Sequence, residues 1–316
     1  MQSTTLNVDK AVMPWRVILN PVSGKRKGVK RWPAIQQQLE KLAIPYERVV
    51  TDFPNHSKEL VHEALQAGVR KFLLIGGDGT HFEVIDALYK QDITEPKDIT
   101  IACLPAGTGN DWSRTIYPNA DYNAILTAIK AEKTIAHDVG WATFQQADGS
   151  IGKHYFLNIA GLGFDAYVAA NFLSNKKNLG AWDYLSGLLR GLISYAPGNA
   201  RIHINGQTIE GKAFIVAAGI CKYFGGGMKI TPEAEPSDGL FDLTIVQNIS
   251  KLKLVTALPK IYKGTFLSMP EVTHIRSKTI DIEANEPLYL QIDGELMGHT
   301  PVQMGIVPGG IQVVII

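Results

Sequence analysis

Cysteine is scarce: Cys103 and Cys221 are the only two in 316 residues, and both sit inside apolar, strand-like runs. That argues against a disulfide framework or a thiolate metal centre and for reduced packing residues. Long apolar runs are missing too. No stretch approaches the roughly twenty residues needed to cross a bilayer, and Met1–Lys10 lacks the apolar core of a signal peptide. The expected compartment is the cytoplasm, with any membrane met from its surface. Net charge is nearly absent. A formal +1 offers no global field for a polyanion, so no nucleic-acid partner is expected and any anion site has to be local. Neither low complexity nor a fixed-period repeat is evident. What remains is an ordinary globular composition in a chain long enough for two domains with cores of their own.

From Trp15 to about Ala131, short apolar runs alternate with helical periodicity, the pattern of parallel strands joined by crossover helices. Strands are expected at Trp15–Leu19, Tyr46–Val50, Lys71–Ile75 and Thr100–Leu104. Helices are expected between them, one from His81 to Tyr89 and an earlier one with Val29, Trp32, Ile35, Leu39 and Leu42 as its buried stripe. After Ile135 the pattern turns mostly β, with strands at His154–Ile159, Arg201–Ile204, Ala213–Ala217, Phe241–Val246, Thr279–Ile282 and Leu288–Ile292. Asn205-Gly206 marks a hairpin, because both residues tolerate the positive φ of a type I′ turn. One helix, Leu179–Ser194, interrupts this half. The fold class expected is therefore an α/β domain over residues 1–134 followed by a mostly β sandwich over 135–316, whose last strand is free to return to the first domain.

The chemistry gathers where strands end. Phe72–Ile75 runs into Gly76-Gly77-Asp78-Gly79-Thr80 and then into a helix, an order in which glycines allow close backbone approach and helix N–H groups favour an anion such as phosphate. Asp78 stands out there. A carboxylate facing phosphate repels it unless a cation or a transferable proton lies between. Read alone, the string fits an ordinary turn equally well. Thr80 and Glu83 have capping-box spacing, so Glu83 is expected to cap its own helix. A second loop, Pro105–Asp111, follows the next strand with Gly107, Thr108 and Asn110. A third, Asn20-Pro21-Val22-Ser23-Gly24-Lys25, follows the first strand. Ligands of open parallel sheets collect at such strand ends. The third loop lacks the GxxxxGK[ST] spacing of a Walker loop. His81 has no second His or Cys at metal-binding spacing and is expected on the helix surface or lining a pocket.

These pieces resemble the diacylglycerol kinase catalytic-domain family, shared by bacterial lipid kinases and related to sphingosine and ceramide kinases and more distantly to NAD kinases. The resemblance rests on Asn20-Pro21-x-Ser23-Gly24, Thr51 followed by His56, Gly76–Thr80, Pro105-x-Gly107-Thr108-x-Asn110-Asp111, Asp238-Gly239 and Asp293-Gly294-Glu295, in that order along nearly the whole chain. It implies an N-terminal domain similar to that of NAD kinases, a C-terminal β-sandwich, and ATP with Mg²⁺ between them. The nucleotide residues it implies are Asn20, Ser23, Thr51, Gly76, Gly77, Asp78, Gly79, Thr80, Gly107, Thr108 and Asn110. It also places Asp78, Asp293 and Glu295 at the catalytic centre, and Asp238, with Glu235 and Leu240, in a structural Mg²⁺ loop. The chain departs from the family in having His81 where Asn is frequent, and Trp112-Ser113-Arg114 where an aromatic-small-Arg run is usual.

Phosphoryl transfer asks for a base on the attacking hydroxyl and for metal-bridged phosphates, and carboxylates supply both. Glu295 is assigned as base, Asp78 as organiser of metal or γ-phosphate, and Asp293 as support, with the roles open to exchange. The expected activity is transfer of phosphate from ATP to a lipid hydroxyl at a membrane surface, the acceptor being diacylglycerol or a relative such as a sphingoid base. An NAD kinase and a catalytically inert nucleotide-binding module are the alternatives. Lys176–Leu185 and the leucines after it either line the lipid entrance or pack on the sandwich. Lys25–Arg31 is either phosphate-attracting or a solvated helix start. The sequence leaves a homodimer open.

Overall fold

The computed structural model describes residues 13–173, 190–192 and 194–316. The expected helix Leu179–Ser194 and the basic segment before it lie almost wholly outside the described residues.

The first half is built on four parallel strands, β1 (Trp15–Leu19), β2 (Tyr46–Val50), β3 (Lys71–Gly76) and β4 (Thr100–Pro105), in the spatial order β4-β3-β1-β2. The central strands are buried on both faces, which is why β3 and, apart from Arg16, β1 read as apolar runs. The crossover helices are α1 (Ser23–Lys41), α2 (His56–Gln66) and α3 (Asp78–Tyr89), with α4 (Asp111–Ile116) and α5 (Tyr122–Lys130) after β4. Trp32, Ile35 and Leu39 form the buried stripe of α1. Its first residues are not helical, since Gly24, Lys25 and Arg26 all take left-handed backbone angles, so the chain coils back over the strand ends before the helix proper begins.

Ten further strands follow: β5 (Thr134–Gln145), β6 (Ile151–Phe156), β7 (Ile159–Gly163), β8 (Gly198–Ile204), β9 (Gln207–Gly219), β10 (Phe241–Gln247), β11 (Val272–Ser277), β12 (Thr279–Ala284), β13 (Tyr289–Ile292) and β14 (Glu295–Val314). The Asn205-Gly206 turn joins β8 to β9 with positive φ at both residues. β14 is twenty residues long. It pairs antiparallel with β5, β12 and β13, and near its end it runs parallel to β4 through Gln312 and Val313. The residue 134/135 border expected between domains thus coincides with the start of a strand paired along β14.

Three details differ from the sequence expectation. α3 begins at Asp78, not His81, because the extended Gly77 carbonyl accepts from Thr80 and His81 and starts the helix immediately. The run His154–Ile159 is not one strand. The chain turns at Leu157-Asn158, where the Asn158 carbonyl and side chain bond Ile220 and Tyr223 instead of a ladder partner. A helix at Lys251–Lys263 was not expected. It contains Pro259 on its solvent side, where the carbonyl freed by the missing N–H can be hydrated.

Candidate active site

Three loops meet at the C-terminal ends of β1, β3 and β4. A Cβ on Gly77 would stand 2.8 Å from the Gly107 Cα, and one on Gly24 would collide with the Ala106 carbonyl oxygen, so only glycine allows this closeness. Asn110 fixes the Pro105–Asp111 loop by accepting from the Gly107 N–H at 2.8 Å and donating back to its carbonyl at 3.0 Å. The Asn20 amide donates to Thr80 Oγ1 at 3.2 Å and so ties the Asn20–Lys25 loop to α3. Thr51 is buried at the end of β2, and its N–H donates to the Leu19 carbonyl. Ser23 lies against Gly77, while Gly79 and Thr108 are exposed. The residues expected to hold nucleotide therefore surround one surface, at the N-terminal end of α3.

Asp78 is divided between two tasks. Its Oδ2 accepts from the Asn110 N–H at 2.7 Å, capping the start of α4, while its Oδ1 is buried without a partner. Burial raises its pKa, opposed by N–H groups of Asn110, Trp112 and Asp111. Gly109 separates it from Asp111: a Cβ there would stand 2.9 Å from Asp78 Oδ2 and 3.5 Å from Asp111 Oδ2. Burial, and then the Asp78 charge, push the Asp111 carboxyl up to about 6.

Asp293 and Glu295 approach from the β13–β14 turn. Asp293 takes a left-handed conformation and its Oδ1 accepts from the Ile159 N–H at 2.9 Å. Burial lifts its pKa to about 7, with Asp78 again adding to the rise. Glu295 sits over α3, its Oε1 3.8 Å from where a Gly79 Cβ would be. Packing raises its pKa first and the Glu83 charge second. Glu83 does not cap α3 as its spacing implied. Its carboxylate accepts from the Asn55 N–H and the Ser57 hydroxyl, holding the start of α2, because Thr80 is already engaged by Asn20. His81 is neither on the surface nor in a pocket. It is buried between the Cys103 thiol and the Trp112 ring, with its pKa lowered by burial to about 3.

The Glu235–Leu240 turn is occupied from within. Asp238 is paired with the Arg276 guanidinium and accepts from the Leu240 N–H, and Glu235 meets Lys222 Nζ at 3.0 Å. Among the described residues, the one trio of His, Cys, Asp or Glu groups close enough to share an ion is Glu233, Asp242 and His274, near this turn. Asp138 fastens the turn to β14, accepting from the N–H groups of Gly239 and Gly309 at 2.7 Å each.

Sequence reasoning missed the site's other wall. Beside the β13–β14 turn opens a narrow apolar cavity of about 60 Å³, lined by residues including Ile159, Phe164, Leu192, Phe224, Met228, Leu254 and Leu258. Among the described residues, Asp165 is its one ionisable lining group. Burial raises the Asp165 pKa to about 6, Oδ2 accepts from the Gln291 amide at 3.2 Å, and Oδ1 is buried unpartnered. Gln291 in turn accepts from the Gly294 N–H at 2.7 Å. The only sequence cue was a carboxylate inside an apolar run, Leu162–Val168, where burial is costly without a purpose.

Residues 14–142 match the family described as the diacylglycerol kinase catalytic domain, and residues 158–315 match the YegS C-terminal NAD kinase beta sandwich-like domain. YtlR of Bacillus subtilis (strain 168), a protein named for an inferred lipid kinase activity, is 29% identical over 95% of this chain and 98% of its own length. A diacylglycerol kinase of Mycobacterium tuberculosis (strain CDC 1551 / Oshkosh) is 28% identical over 94% of this chain and 93% of its own. In fold, the chain resembles a diacylglycerol kinase from Bacillus anthracis str. Sterne (TM-score 0.70, 22% identity, 96% and 97% of the two chains). It also resembles yeast NADH kinase complexed with NADH (TM-score 0.53, 12% identity, 96% and 84%). The chain therefore belongs to the diacylglycerol kinase catalytic-domain family of lipid kinases.

Proposed function

We propose that the chain transfers the γ-phosphate of ATP to the hydroxyl of a lipid held in the apolar cavity, with Glu295 as general base. The observation that carries this reading is that cavity and carboxylates share residues. Ile159 lines the cavity and bonds Asp293, and Gln291 links Asp165 in the cavity wall to Gly294 between Asp293 and Glu295. An apolar chain seated there brings its polar end to the turn that carries the base.

The nucleotide phosphates lie against the Gly76–Thr80 and Gly107–Asn110 loops, whose close packing presents backbone N–H groups and the start of α3. Magnesium, when bound with the nucleotide, neutralises charge on the phosphates. Asp78 and Asp111 would hold it, since two crowded carboxylates suit a hard cation: Asp78 Oδ1 is buried without a partner, and Asp111 Oδ1 meets only Arg114 Nε at 3.6 Å. Glu295 accepts the proton of the attacking hydroxyl. Asp293 orients the turn through Ile159, and Asp165 Oδ1 is left to receive a donor from the lipid head. A second cation at the Glu235–Leu240 turn requires Arg276 to release Asp238.

The test offers radiolabelled ATP with diacylglycerol, sphingosine and NAD in parallel. Labelled lipid, lost in Glu295→Gln, is the expected result. Label in NAD alone rejects the lipid reading in favour of an NAD kinase, and label in none of them rejects catalysis on these acceptors.

A further inference from the structure

The helix Lys251–Lys263 forms the outer wall of the cavity through Leu254, Leu258 and Ile261. Its opposite face should then be polar, as on an ordinary surface helix. It is not. Leu252 is 77% exposed, Tyr262 51% and Val255 40%, and Pro259 is exposed with them. Their spacing of three, four and three residues places all four on one outward stripe. Single exposed apolar residues need no explanation, but a stripe at helical spacing does.

Charge says what covers it. The thirteen residues carry Lys251, Lys253, Lys260 and Lys263 and no acidic residue, in a chain whose net charge is only +1. Lys260 and Lys263 are exposed, while Lys253 turns to Glu271. Lysine stems lie along apolar surface while their ammonium groups reach polar headgroups, and a tyrosine presents an apolar ring with a polar tip, the combination suited to a lipid-water boundary. A second copy of the chain seated face to face would set the same lysines against each other. No helix among the described residues is long and apolar enough to cross a membrane, so contact lies in the plane of the surface.

We propose that the outward face of Lys251–Lys263 docks the protein on a bilayer bearing anionic headgroups, apolar stripe inward and lysines among the headgroups. Val255 belongs both to the stripe and to the cavity lining, so docking sets the cavity mouth at the membrane. The docking role deepens the lipid kinase reading and rests on it for its purpose, but the contact itself is measurable without catalysis.

The full chain is sedimented with vesicles of phosphatidylcholine, with and without phosphatidylglycerol. Binding is expected to the anionic vesicles, weakened by salt and weak on phosphatidylcholine alone. Leu252→Glu combined with Tyr262→Glu weakens it by at least about tenfold. Lys260→Gln with Lys263→Gln weakens it several-fold. All variants keep the wild-type unfolding midpoint and the wild-type turnover on acceptor dispersed in detergent. The proposal falls if wild type ignores anionic vesicles, if the Leu252/Tyr262 variant binds them as wild type does, or if sedimentation velocity shows a dimer that this variant abolishes. Vesicle docking without phosphorylation of any lipid leaves the surface intact and removes the kinase reading instead.

Discussion

Asp293 and Ile159 hold each other twice: the Asp293 N–H donates to the Ile159 carbonyl at 3.0 Å, and the Ile159 N–H donates to Asp293 Oδ1 at 2.9 Å. An aspartate so committed positions the turn before it can serve chemistry. Asp293→Asn keeps an acceptor for Ile159 and is expected to retain substantial turnover. Asp293→Ala leaves a buried N–H unpaired and should cost about 1–3 kcal/mol against the Asn variant in denaturant unfolding. Equal stability and activity in the two variants would remove the positioning role.

Glu295→Gln should lower kcat by at least about a hundredfold while leaving nucleotide binding intact, as expected for loss of a general base. In the proposed role Glu295 works ionised, and packing and Glu83 hold its pKa above the ordinary glutamate value. Activity should therefore fall on acidification at a higher pH than an exposed glutamate would give. In Glu83→Gln, which keeps an acceptor for Asn55, the acid limb of the kcat profile should move to lower pH. An unmoved limb would assign it to another group.

Gly107→Ala puts a Cβ 2.5 Å from the Gly77 Cα, backbone against backbone, and must part the two glycine loops. The expected signature is a raised KM for ATP with little change in KM for the lipid acceptor. Kinetics varying each substrate in turn would separate this from a general loss of folding, which lowers active fraction without changing either KM.

Asp165 makes a prediction about stability. Its folded pKa of about 6 lies above the unfolded value, so the unfolded chain loses its proton first and the fold loses stability as pH rises from about 4 to 6. Above that window Asp165→Asn should be more stable than wild type by up to about 3 kcal/mol, with the gap closing below about pH 4. Urea unfolding across this range tests it. A variant less stable than wild type at about pH 8 would mean that the carboxylate is paired in the folded protein.

The inner parallel strands β1, β3 and β4 were legible because each is a mostly apolar run ended by turn residues, and the glycine loops because close approach leaves a compositional trace. The cavity was not legible. Its wall is assembled from Ile159, Phe164, Phe224 and Leu254, far apart in sequence, and hydrophobic residues around a void read like those around a core. Lys251–Lys263 escaped because apolar residues on both faces blur the 3.6-residue period and Pro259 argues against a helix. Glu83 was misread because capping spacing is local, whereas the N–H groups it satisfies belong to the neighbouring helix.

β14 is bonded to β5, β12 and β13 before it reaches β4, so one strand serves as a beam through both halves, its ladder with β5 shifting register between His299 and Val302 and again between Val307 and Ile311. Halves joined by a loose tether could swing apart to release product, but a shared beam resists bending where it is laddered on either side. Entry and exit of substrates then fall to side chains and loops around the cleft. Trimming the last few residues would loosen both halves together, and unfolding should register as one event.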